Sequence, residues 1–424
     1  MSRASLRHAV AFLGMLLSLL SAGCATPTAV TDIFSAPDTD RVNDGVVRTS
    51  LEVRWRHRLS QSQWLELRPR EQARPAFDDQ RVYAGGRDGF FFALDRDNRS
   101  VWWKTSLKPP LTGQPLAAAG MVYAADGNGY LNAFDAPTGQ VVWRSYLGDE
   151  CPGQPVMAQG VIYVRTASGQ VQALTADTGK VLWRHTDDAP AGGSNLRSRS
   201  LAGPLVTDSM VITGTSQGTI IALNRETGAK LWVSKLAAFD ADMPDAAAEP
   251  ALSADGNRLF VALYDEALYC LLTQTGTVQW KNEEITRVTG MVEHEGVLVT
   301  AAGRRGVTGL DPVTGASLWE LPLCNDKSVS PSPPVSFGAS VLLSCNATHT
   351  GVYLLGMNGR NKPSVDGLLR PGNGVFSKVV PLSDKSFSFI SNRGYVYLVD
   401  VSLPGKPPRS LIGDPQQSES LPTP

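Results

Sequence analysis

Three observations predict an all-β protein. Six copies of one sequence frame recur, apolar residues alternate with period two inside each copy, and a lone Trp-bearing strand precedes the first copy. The predicted architecture is an eight-bladed β-propeller of four-stranded antiparallel blades, with the ring closed by the N-terminal strand. The frame is plainest in VYAADGNGYLNAFDAPTGQVVW, ending at Trp143, and in VITGTSQGTIIALNRETGAKLW, ending at Trp232. Each copy holds an alternating run, a Gly turn, a second run ending Ala-Leu or Ala-Phe, a Thr-Gly turn, and a third run carrying Trp.

The turn before the Trp strand has its own chemistry. An Asp-like residue stands eight positions ahead of the Trp: Asp95 before Trp103, Asp135 before Trp143, Thr175 before Trp183, Asn224 before Trp232 and Asp311 before Trp319. Trp280 keeps the frame with Leu272 in that place. Gly139, Gly179, Gly228, Gly276 and Gly315 supply the positive φ of a tight turn, and the Asp or Asn side chain bonds the local backbone. The Trp is large and flat, suited to packing one blade on the next. A unit of this kind cannot bury both faces alone, so neighbours must stack around a ring.

Counting gives a ring of eight, with seven the alternative because the seventh unit is degenerate. Trp-bearing units end at Trp103, Trp143, Trp183, Trp232, Trp280 and Trp319, and a seventh unit, 341–359, lacks the Trp. An eighth, 386–400, stops before its outer strand. The missing strand lies at the other end of the chain, at 51–56 with Trp55, and pairing it there removes the exposed edges of an open sheet. Residues 48–404 form the predicted propeller, and its repeats, 51–403, give about 44 residues per blade.

The flanks differ. Arg3 and Arg7 precede an apolar run at 9–20, too short to span a bilayer and suited to a secretory signal at 1–23. Ser21-Ala22-Gly23-Cys24 resembles a bacterial lipobox, which makes Cys24 the expected site of lipidation. Ala25 after it favours the outer membrane, facing the periplasm. Residues 24–47 read as a flexible tether and 405–424 as a disordered tail.

Of 424 residues, 42% are hydrophobic, 39 are basic and 40 acidic, giving a net charge of −1. The apolar content supports a packed core, and the balance of charge argues against nucleic-acid binding. The histidines are scattered without metal-ligand spacing, and no phosphate loop or nucleophile elbow occurs. Cys270 takes the buried Ala position of its repeat and Cys151 reads as unpaired. Cys324 and Cys345 fall in successive blades, where a disulfide is one pairing their placement allows.

The Ala-x-Asp-x-x-Thr-Gly-x-x-x-Trp pattern resembles the repeat of quinoprotein-type propellers. Two classes share it: pyrroloquinoline-quinone (PQQ) dehydrogenases, and BamB-type outer-membrane protein assembly factors, which are non-enzymatic lipoproteins. The dehydrogenases imply an adjacent Cys pair, calcium ligands and a catalytic Asp. This chain has no adjacent cysteines, and turns account for its repeated Asp residues. The expectation is therefore no enzyme, no cofactor and no metal.

The BamB-type resemblance agrees with the lipobox, the eight units and the closing strand. Trp-to-Trp intervals are 40, 40, 49, 48 and 39 residues, so two consecutive connectors are long, 185–204 and 235–250. Long loops on a rigid scaffold are where binding concentrates. The resemblance implies that these loops grip a periplasmic domain of the barrel-inserting subunit BamA. Leu196-Arg197 matches the first loop's Leu-Arg pair, with Arg199 the alternative arginine, and Asp245 matches an acid of the second. Ser194 and Ala247 depart from the pattern. Incoming unfolded outer-membrane proteins are a further candidate partner. The alternatives are a PQQ-dependent oxidoreductase, or a propeller lipoprotein that binds another envelope partner.

Overall fold

In the computed structural model the described residues are 49–60, 74–111, 113–186, 202–215, 217–237, 246, 248–303, 305–324, 331–345, 351–371, 374–375 and 377–402. The chain divides into two units, 1–38 and 39–424, and all the described residues belong to the second. Among them, 32 strands form eight antiparallel sheets of four.

Seven blades run in sequence order from inner to outer strand. Blade one is Ala76–Phe77, Arg81–Gly85, Phe90–Asp95 and Val101–Ser106. The inner strands of blades two to seven begin at Leu116, Val156, Leu205, Ala251, Val288 and Val335. Blade eight is built from both ends. Val380–Ser383, Ser386–Ile390 and Tyr395–Ser402 are completed by Ser50–Arg58, with Leu51 opposite Val401 and Trp55 opposite Leu398.

The core consists of eight apolar seams, one between each pair of neighbouring blades. At the first, Tyr83, Phe91 and Trp103 meet Val122, Ala124 and Phe134. At the eighth, Trp55, Val396 and Leu398 of blade eight meet Val82, Phe92 and Leu94 of blade one. That last seam closes the ring. Each fully buried Leu or Phe contributes about 1.5–3 kcal/mol, so no blade is stable without its neighbours.

The repeated Trp latches six of these seams. Its indole N–H donates to a carbonyl in the next blade: Trp55 to Arg96 (2.8 Å), Trp103 to Ala136 (2.8 Å), Trp143 to Ala176 (3.0 Å), Trp183 to Arg225 (3.0 Å), Trp232 to Thr273 (3.1 Å) and Trp280 to Pro312 (3.2 Å). In five of the six, all but Trp55, the ring also lies against the next blade's turn glycine. A Cβ at Gly228, where φ is +70°, would sit 2.6 Å from the Trp183 ring. The Asp-like residues act as turn formers: Asp95 Oδ1 accepts the Asp97 and Asn98 N–H groups, and Asp311 Oδ1 those of Val313 and Thr314.

The seventh Trp differs. Blade seven joins Val352–Asn358 to Asn361–Leu369 through Gly359-Arg360, without the Asp-x-x-Thr-Gly frame. Trp319 instead lies over Gly309 of its own blade, and its N–H has no partner among the described residues. The seam between blades six and seven is bridged by the Cys324–Cys345 disulfide, Cα–Cα 5.6 Å, and by the Arg360–Asp311 ion pair. Cys151 and Cys270 are free and buried.

Candidate functional site: the connector face and the ring axis

Antiparallel blades put every blade-to-blade connector on one face, together with the turns between second and third strands. Backbone bonds tie the two sets together: Leu107 N–H to Gly89 O (2.7 Å), Leu147 N–H to Gly129 O (2.8 Å), Leu236 N–H to Gly218 O (3.0 Å) and Leu59 N–H to Gly394 O (2.8 Å). The two long connectors rise from this face at consecutive blades, three to four and four to five. Leu196, Arg197, Arg199 and Asp245, like Cys24, the expected site of lipidation, lie outside the described residues.

The roots of the long connectors are described. Where the first re-enters the ring, Gly203 packs on the backbone of Gly153 and Gln154, too close for any side chain. At the start of the second, the Leu236 carbonyl accepts the Tyr269 hydroxyl at 3.2 Å. At its end, Ala246 is buried against Gly214 and Ala248 is buried among Phe260, Ala262 and Met291.

Glu249, the next residue, reaches the ring axis. Its carboxylate takes Arg74 at 2.9 Å on Oε1 and Lys378 at 2.7 Å on Oε2. Arg74 stands two residues before the inner strand of blade one, Glu249 two before that of blade five, and Lys378 two before that of blade eight. Blades one and five are diametrically opposite in a ring of eight, so this contact crosses the axis. Side-chain exposures of 8% for Arg74, 26% for Glu249 and 24% for Lys378 fit groups lining a narrow axial opening. Burial alone would push the Glu249 carboxyl up, but the Arg74 and Lys378 charges outweigh it and hold it at about 2. Burial lowers the Lys378 ammonium, the pull of Glu249 opposes this, and the Arg74 charge adds to it. Gln114 and Gln154 occupy the same column in blades two and three, and Gln154 Nε2 donates to the Pro115 carbonyl at 3.2 Å.

Sequence reasoning missed this triad. The signal was present in the column ahead of the inner strand, which reads Arg74, Gln114, Gln154, Gly203, Glu249 and, in blade eight, Lys378. Charges in a column of otherwise polar or small residues mark positions that meet where the blades converge.

Eight four-stranded blades, with six of their seams latched by a repeated Trp, make this a quinoprotein-type propeller. The family model described as outer membrane protein assembly factor BamB matches residues 43–152 and 93–321. The chain belongs to that family. Among solved structures, BamB from Moraxella catarrhalis has 20% sequence identity and a TM-score of 0.67, with 83% of this chain and 100% of that chain covered. Quinohemoprotein alcohol dehydrogenase ADHIIG from Pseudomonas putida HK5 has 15% identity and a TM-score of 0.62, covering 88% and 78%. The corresponding enzyme from Comamonas testosteroni also has 15% identity, with a TM-score of 0.60, covering 85% and 78%. No curated protein matches by sequence. At these identities the structural likeness establishes the fold alone.

A quinone with its calcium is the cofactor that the dehydrogenase side of the fold implies. The described residues do not fit it. Among the described residues no three His, Cys, Asp or Glu side chains come together in a way that could hold a metal. The carboxylate that does reach the axis, Glu249, has both oxygens taken by cations.

Proposed function

We propose that this protein is a non-catalytic scaffold of outer-membrane β-barrel assembly, anchored by lipid on Cys24 to the outer membrane and facing the periplasm. In this reading 1–23 is a removed signal, 24–47 a flexible tether and 405–424 a disordered tail. The propeller, 48–404, holds a BamA-type barrel-assembly subunit through Leu196, Arg197 and Arg199 on one long connector and Asp245 on the other. The observation that carries the reading is the pair of long connectors rooted on consecutive blades of one face. A rigid ring that offers the arginines Arg197 and Arg199 on one loop and the acids Asp240, Asp242 and Asp245 on the other suits a partner that offers both signs, through Arg–carboxylate pairs or strand addition. Family membership supports the same role, and the turn work of the repeated Asp residues supports the absence of catalysis.

The test is an affinity pull-down from detergent-solubilised envelopes, comparing the native chain with an Arg197→Glu/Arg199→Glu variant. The barrel-assembly subunit should be recovered with the native chain and lost with the variant. Recovery with both discards the loop site and keeps the function. Recovery only of other envelope proteins refutes the function, as does stoichiometric PQQ uptake with dye reduction.

A further inference from the structure

We infer that Arg74, Glu249 and Lys378 form a cross-axis clasp whose task is to position the root of the second long connector, making Glu249 a positioning residue for whatever that connector binds. Its link to partner binding rests on the proposed function; the clasp itself does not. Four consecutive residues at the connector's end have three separate anchors. Ala246 packs on Gly214 of blade four, with its N–H on the Thr215 carbonyl at 3.4 Å. Ala248 enters the apolar seam between blades five and six. Glu249 is drawn across the axis by blades one and eight, and Pro250 then fixes the backbone φ where the inner strand Ala251–Leu252 begins.

That inner strand is only two residues long, so backbone pairing alone holds it weakly. The ion pairs make up for this from the far side of the ring. A buried ion pair is a poor source of net stability, because apolar side chains of the same volume would serve as well or better. What it supplies is direction. Two cations at fixed points allow the carboxylate one placement, and the chain entering Glu249 then leaves the face from a fixed point. The axis is where the adjoining blades eight and one can act together on a connector that belongs to blade five, on the opposite side of the ring.

The experiment is amide exchange by mass spectrometry on the full chain, comparing native protein with Glu249→Gln, Lys378→Met and Lys378→Arg. Glu249→Gln and Lys378→Met should speed exchange at Ala248, Ala251 and Leu252 at least tenfold, with blades two and three unchanged. Lys378→Arg should keep native exchange. A uniform rise across all blades would show a merely structural role and overturn the proposal, as would native exchange in Glu249→Gln. Where Glu249→Gln fails to fold, the two Lys378 variants decide alone. The second arm measures affinity for the purified periplasmic region of the barrel-assembly subunit, expected to fall about tenfold in Lys378→Met and to be kept in Lys378→Arg. If the native chain shows no affinity, the functional reading fails while the exchange pattern still decides the clasp. If affinity is native in Lys378→Met despite faster exchange, the positioning role is refuted.

Discussion

Replacing Cys324 and Cys345 by Ser should weaken one seam of the ring selectively. The disulfide spans 21 positions of sequence and ties blade six to blade seven. Loop-closure entropy for a loop of that length gives about 3 kcal/mol at 25 °C. The loss applies to any state in which these two blades part, whether global unfolding or local opening of the seam. This seam is also one without a Trp latch, since Trp319 lies over Gly309, and among the described residues the Arg360–Asp311 ion pair supplements the apolar contacts. Urea unfolding should show about 3 kcal/mol less stability in the double Ser variant. Native-state amide exchange should rise on the order of 100-fold in Ser317–Leu321 and Ser340–Ser344, at 1.4 kcal/mol per decade, before it rises elsewhere. Equal acceleration at a latched seam, such as that between blades two and three, would refute the reasoning. So would a stability loss under about 1 kcal/mol.

Three further outcomes follow from the same geometry. Trp103→Phe should cost about 1–2 kcal/mol in thermal or urea unfolding, because the Ala136 carbonyl loses its donor; Trp319→Phe should cost less, since no bond from its N–H is lost. Gly228→Ala should cost more than about 2 kcal/mol, combining positive-φ strain with the clash on Trp183, whereas Gly359→Ala, at φ +53° in open space, should cost only about 1 kcal/mol. Glu249 has a folded pKa of about 2, below its ordinary 4.5, so its contribution is full above about 4.5 and is lost as pH falls towards 2; Glu249→Gln should flatten the stability–pH curve across that window.

The blade architecture was legible because its chemistry repeats in fixed columns. Trp143 and Trp183 read from sequence as blade-packing residues and Gly179 and Gly228 as positive-φ turn residues, while the contact of each ring with the glycine of the next blade emerged only in the structure. The two unusual blades were legible only as departures. The lack of a Trp in blade seven showed in the sequence, but the placement of Trp319 over Gly309, with its N–H unbonded among the described residues, showed only in the structure. The axial triad was not legible, because Arg74, Glu249 and Lys378 are 175 and 129 residues apart and meet only when the ring closes. The connector residues were chosen from loop length and resemblance, and length alone says where a chain leaves a scaffold and not what it grips.

The pairing of Ser50–Arg58 with Tyr395–Ser402 has a temporal consequence. Partners about 350 residues apart, such as Glu52 and Ser402, cannot meet until almost the whole polypeptide has been released from the machinery that makes or translocates it. Until then the first strand waits without a hydrogen-bond partner, and both flanks of the growing arc remain adhesive. Holding such an intermediate out of aggregation is work for a holdase. A rearranged chain whose new ends fall in the Asp384-Lys385 turn would place the first strand beside its partner in sequence, and should shorten the interval during which that help is needed.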